Sequence, residues 1–132
     1  MGIFKRIFGI CNTPALDPGL WNYAEGRVTI DLGQVGELAK PGGAVRLEGQ
    51  GLQKRVLVFR GDDDQFYALE NRCSHAGHRR LDPAVGEGKV RCCSIGKTEF
   101  DYQGNRLAGA GQDSIRPLAV EIDGQTLVVV VE

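Results

Sequence analysis

The chain carries four cysteines (Cys11, Cys73, Cys92, Cys93) and two histidines (His75, His78), and five of these six fall between positions 73 and 93. Thiolate and imidazole are the ligand types that suit zinc and iron–sulfur centres. A secreted disulfide scaffold would spread its cysteines through the chain, so this clustering reads as metal chemistry. The groups form two units, Cys73-Ser74-His75-Ala76-Gly77-His78 and Cys92-Cys93-Ser94-Ile95-Gly96-Lys97. In a C-x-H unit, the two side chains leave one tight loop toward different points. That suits a dinuclear centre, with the thiolate on one metal and the imidazole on the other. Gly77 and Gly96 let the backbone come close enough to donate N–H groups to sulfur.

Each unit follows a strand-like run, which places it on a loop at a strand end. Val28 to Leu32 alternates as a half-buried strand does, and Pro41-Gly42-Gly43 marks a turn before Ala44 to Glu48. Lys54–Arg60 and Gln65–Glu70 flank Gly61-Asp62-Asp63-Asp64 as a hairpin flanks its tip. Beyond the second unit come Thr98–Tyr102, Leu118–Ile122, a turn at Asp123-Gly124, and the closing run Val128–Val131. No segment sustains a helical period. The expected fold class is all-β, an antiparallel sandwich or partly open barrel. Residues 11–26, with two prolines and two glycines, read as an extended lead-in. The expected organisation is therefore an N-terminal lead-in over 1–27 and one domain over 28–132.

Length and composition agree. At 132 residues and 42% apolar content, one domain with its own core is expected and no disulfide framework is needed. Nineteen glycines, about twice the usual share of ~7%, favour a turn-rich β protein. Sixteen basic and 17 acidic residues leave a net charge of −1, which gives no reason to expect nucleic-acid binding. No stretch approaches the ~18 apolar residues of a membrane span. A cytoplasmic chain is expected. Ile3, Phe4, Ile7 and Phe8 would share one helical face, suited to docking or to weak peripheral membrane contact through residues 1–10. No P-loop, dinucleotide fingerprint or nucleophile triad is present, so the chain is expected to be no enzyme by itself.

The order of these features resembles the Rieske [2Fe–2S] domain family over residues 28–131. Asn71-Arg72-Cys73-Ser74-His75-Ala76-Gly77-His78 is similar to the family's first loop. Val90-Arg91-Cys92, then Gly96, Phe100-Asp101 and Gly104, resembles the second loop and the strand after it. Ile115-Arg116-Pro117-Leu118-Ala119-Val120 resembles the start of the closing hairpin. The resemblance implies a small electron-transfer component of an oxidoreductase, with Cys73, His75 and Cys92 as ligands of a [2Fe–2S] cluster.

One family position is missing. The second loop of the family reads Cys-x-x-His-Gly, and Ile95 stands where its histidine should be. The extra cysteines that respiratory members join as a disulfide are His78 and Ser94 here. His78 is the cheaper substitute for the fourth ligand. Cys93 would need a rearranged loop, because adjacent residues of an extended segment point opposite ways. Three outcomes stay open: a cluster with a substitute ligand, a clusterless interaction module or accessory subunit, or a mononuclear Zn²⁺ or Fe²⁺ site. The small subunit of some nitrite reductases is a Rieske-like domain of the clusterless kind. From Arg72 to Lys97 there are six basic and two acidic residues, a net +4, against a net −5 elsewhere. A redox partner protein with an acidic face, docking at this loop end, is the expected partner.

Overall fold

The computed structural model describes residues 13–72, 80–93, 98–108 and 114–131. Among them it is all-β, apart from three short 3₁₀ turns at Pro18–Leu20, Leu32–Gln34 and Gly36–Leu38. Eleven strands are present: β1 (Trp21–Ala24), β2 (Arg27–Asp31), β3 (Ala44–Leu47), β4 (Val56–Arg60), β5 (Phe66–Glu70), β6 (Leu81–Ala84), β7 (Lys89–Cys92), β8 (Glu99–Phe100), β9 (Arg106–Ala108), β10 (Pro117–Asp123) and β11 (Thr126–Val130). They form a seven-stranded sheet in the order β1-β2-β11-β10-β5-β4-β3 and a four-stranded sheet in the order β6-β7-β8-β9. All strand pairs are antiparallel. The large sheet curls into a half-barrel. The segment before β1 lies parallel to β3, with Leu16 N–H donating to the Arg46 carbonyl and Arg46 N–H to that of Pro14.

Strand β4 explains the layering. All of Val56, Leu57, Val58 and Phe59 are buried, and side chains alternate across a strand. Val56 and Val58 therefore enter the core inside the curled sheet, with Trp21, Val28, Ile30, Leu47, Leu127 and Val129. Leu57 and Phe59 enter a second core against the small sheet, with Leu69, Leu81, Val90, Cys92, Phe100 and Ile115. One strand with two apolar faces thus joins two layers.

Residues 11–26 differ from the expected lead-in where they are described. Trp21–Ala24 forms a hairpin with β2, and Trp21 is buried. Its turn is Glu25-Gly26, both with positive φ (53° and 76°), the backbone that a tight two-residue hairpin requires. Gly104, φ 86°, is equally constrained: an added Cβ would stand 2.1 Å from the Ile115 carbonyl oxygen.

The Asp62-Asp63-Asp64 tip links the layers. Asp62 carboxylate oxygens accept the N–H groups of Gly86 (2.9 Å) and Gly88 (2.8 Å) in the β6–β7 turn. These two bonds, chiefly the one from Gly86, hold its carboxyl below the usual range. Nearby, the Tyr102 hydroxyl accepts the Asp62 N–H at 3.0 Å, and its ring packs in a cluster with Phe59 and Tyr67.

Candidate metal centre

The small sheet carries both ligand-bearing units on the same edge of its ladder. Leu81 stands opposite Cys92 in the β6–β7 pairing. One residue outward, Cys93 N–H donates to the Arg80 carbonyl at 3.1 Å, and Cys92 N–H donates to the Thr98 carbonyl at 2.8 Å. The first loop therefore returns to the sheet at Arg80, beside the point where the second loop departs at Cys93. The second loop comes back at Thr98, which is fully buried. Sequence spacing predicted two adjacent loops, and their stems are adjacent.

Asn71 pins the first loop's other stem. Its Oδ1 accepts the Leu81 N–H at 2.8 Å, and its own N–H donates to the Arg55 carbonyl at 2.8 Å. The side chain is buried, and Nδ2 has no hydrogen-bond partner. Asn71→Ala is expected to cost about 1–3 kcal/mol, since it leaves the Leu81 N–H buried and unpaired. Urea denaturation measures this, and a loss under about 0.5 kcal/mol would remove Asn71 from the role of loop anchor.

Charge fixes the same stem from outside. Arg80 grips Glu48 with two bonds, Nε at 2.6 Å and Nη2 at 2.9 Å. Arg46 adds a third at 3.0 Å and also reaches the Thr13 carbonyl. The Arg80 bond, ahead of the Arg46 bond, brings the Glu48 carboxyl down to about 2 from 4.5. The folded value lies below the unfolded one, so the stabilisation is full above about pH 4.5 and fades as pH falls toward 2. We expect Glu48→Gln to flatten that acid limb, removing roughly 1–2 kcal/mol after solvent screening. Unfolding free energies at pH 6 and pH 3 test it; a parallel pH slope in parent and variant would show that Glu48 does not carry the effect.

The basic excess of this region is partly neutralised. Of its six cations, Arg80 pairs with Glu48, while Lys89 and Arg91 pair with Glu99 and Glu87. Arg91 and Glu99 form a close pair at 2.8 Å. What stays concentrated is a group of guanidiniums beside the first loop. Burial, then the nearby charge of Arg80, lowers the affinity of Arg55 for its proton, and Arg72 and Arg46 add to the effect. Glu48 is the carboxylate among them.

The two neighbouring cysteines diverge. Cys92 is buried within the second core, among Leu81, Val90 and Phe100. Cys93 is buried and disulfide-bonded. Cys73, His75, His78 and Ile95 lie outside the described residues, as do Cys11 and residues 1–10. No cluster of three or more metal-ligating side chains occurs among the described residues.

A family model described as the Rieske [2Fe-2S] domain matches residues 29–117. The chain belongs to the Rieske family. Among solved structures, this Rieske protein is similar to the ferredoxin of carbazole 1,9a-dioxygenase from Nocardioides aromaticivorans IC177. That likeness has 29% identity and a TM-score of 0.62, over 79% of this chain and 95% of the ferredoxin. The plasma-membrane Rieske protein PetC3 from Synechocystis PCC 6803 shares the fold at 23% identity and a TM-score of 0.54, over 66% of this chain and 85% of that one. A ferredoxin solved in complex with reduced oxygenase in carbazole 1,9a-dioxygenase shares it at 21% identity and a TM-score of 0.57, over 70% and 84%. No curated protein matches the chain in sequence. The protein is a Rieske-type electron-transfer protein. No helix among the described residues is long and apolar enough to cross a membrane.

The residues present fit the family's cluster in two respects: the stems bring the two loops together, and Asn71 at the base of the first loop has a buried amide donor without a partner.

Proposed function

We propose that this Rieske protein is a small one-electron carrier, not itself an enzyme, that serves an oxygenase or a related oxidoreductase in the cytoplasm. The observation that carries this reading is the joint anchoring of the two loop stems at Arg80 and Cys93. A [2Fe–2S] cluster supplies reversible one-electron chemistry when bound. Its ligands are Cys73 and His75 from the first loop and Cys92 from the second. His78 takes the fourth position in place of Ile95. The protein's part is to hold these groups, shield them with the second core, and present hydrogen-bond donors toward sulfur. Support for a carrier comes from the ferredoxin of the carbazole dioxygenase, 95% of whose length is covered. The partner is an acidic protein surface, which the arginines around Glu48 favour.

Anaerobic purification tests this reading. A brown protein with iron and sulfide in about equal amounts supports the carrier. A colourless protein without iron after reconstitution overturns it in favour of a clusterless accessory module. Zinc or iron without sulfide identifies a mononuclear site and overturns it equally.

A further inference from the structure

Resting on the reading of a carrier with an acidic protein partner, we infer where that partner docks. It seats an apolar side chain in a cleft beside the first loop's stem and places its carboxylates on Lys54 and Arg116 at the rim. The cleft measures about 140 Å³. Its floor is Val56 and Leu118 of the first core, and Tyr23 and Leu52, partly buried, form its walls. Small-molecule pockets run to about 300–1,000 Å³, so this one has room for a single anchoring side chain of a protein interface.

The state of the basic residues decides the place. Arg46 and Arg80 are already bonded to Glu48 at 2.6 to 3.0 Å. Lys54 and Arg116 approach Glu70 only to 3.6 and 3.8 Å, beyond hydrogen-bond reach. Neither side chain donates a hydrogen bond among the described residues. They are 57% and 51% exposed, whereas Glu70 is 13% exposed. Two cations thus share one withdrawn carboxylate, which leaves a net +1 and unused donors facing solvent. A carboxylate on the partner completes the set. The chain's own first ten residues hold Lys5 and Arg6 and no acid, so they do not complement this rim.

The cleft is built in advance. Gln50 Nε2 donates to the Pro18 and Trp21 carbonyls at 2.9 and 3.2 Å, which ties the turn before Leu52 to the strand that carries Tyr23. Glu70 N–H donates to the Arg116 carbonyl at 3.0 Å, joining the rim across β5 and the start of β10. A preformed cleft has little order to lose on binding. Glu70 directly precedes Asn71, the anchor of the first loop, so a partner seated here lies beside the stem of the proposed cluster site.

Peptide titration tests the docking. The full chain, purified anaerobically, is titrated at low salt against an amidated, dye-labelled Gly-Glu-Leu-Glu-Gly peptide by fluorescence anisotropy. This peptide should bind at least about tenfold tighter than Gly-Gln-Leu-Gln-Gly or Gly-Glu-Ser-Glu-Gly. Lys54→Gln and Arg116→Gln should each weaken binding by about threefold or more. Glu70→Gln, which releases both cations, should tighten it by about threefold. Arg27→Gln removes an equally exposed cation elsewhere and should change binding by less than about 1.5-fold. A glutamate peptide that binds no better than its glutamine form overturns the proposal, as does an equal loss in Arg27→Gln. If Glu70→Gln does not fold, the two rim variants decide. Hexanoate that displaces the peptide at equal concentration would make this a small-carboxylate site instead. A dimer that Lys54→Gln dissolves would show a second copy on the cleft, and either result overturns the protein partner. Iron measured on the same sample keeps the readings apart. Peptide binding without iron retains the docking site and removes the carrier, and an iron-loaded chain that ignores the peptide does the reverse.

Discussion

Ile95→His is expected to hold several-fold more iron and sulfide than the parent after anaerobic reconstitution. Isoleucine can neither coordinate nor titrate, whereas imidazole at that position returns the donor that the family uses. The residues that flank the loop are fixed: Cys93 N–H donates to the Arg80 carbonyl and Cys92 N–H to the Thr98 carbonyl. Two imidazoles on one iron raise the potential to about −150 to +300 mV, against about −400 mV for four-thiolate clusters. The variant should therefore titrate in the upper range. His78→Ala separates the candidates for the fourth position: it should weaken retention in the parent and matter little once Ile95→His is present. Iron content no higher than the parent's in Ile95→His would show that this loop has left the family geometry, and the proposed ligand set would fall with it.

Why the sequence disclosed some of this architecture and hid the rest follows from which interactions are local. β2, β3, the β4–β5 hairpin and the β10–β11 hairpin are legible because each alternates or runs apolar between turn residues. β6 is not, because Leu81-Asp82-Pro83-Ala84 holds a proline and lacks alternation. Its pairing with β7 makes it a strand. β9 is three exposed residues whose place is set by β8. β1 hides behind two prolines, although Trp21 is a core residue and Glu25-Gly26 is a usable turn. At the site, types and spacing pointed to two loops but not to Cys92 packing in the second core. That depends on the register of β7, where Val90 and Cys92 share the buried face. The net +4 of the loop region was countable, yet one neutralising partner, Glu48, lies far away in sequence. Long-range pairing is the part that a single sequence conceals.

Phe100→Ala should be the most damaging single truncation near the site, costing about 3–5 kcal/mol of the roughly 5–15 kcal/mol that holds a domain together. Phe100 is fully buried on the two-residue strand β8. It packs in the second core with Leu57 and Phe59 of the large sheet and Leu81 and Val90 of the small one. The cavity therefore opens at the seam on which the small sheet rests. That sheet carries the stems of both loops, so Phe100→Ala should lower iron uptake even where the chain remains folded. Val129→Ala supplies the contrast. Val129 is fully buried in the other core, and its truncation should lower stability while leaving uptake by the folded fraction near that of the parent. Phe100→Leu, which refills most of the volume, should recover much of both properties. Urea unfolding and iron content on the same samples separate the two effects. Equal uptake per folded molecule in Phe100→Ala and Val129→Ala would mean that the second core supports the fold without positioning the site.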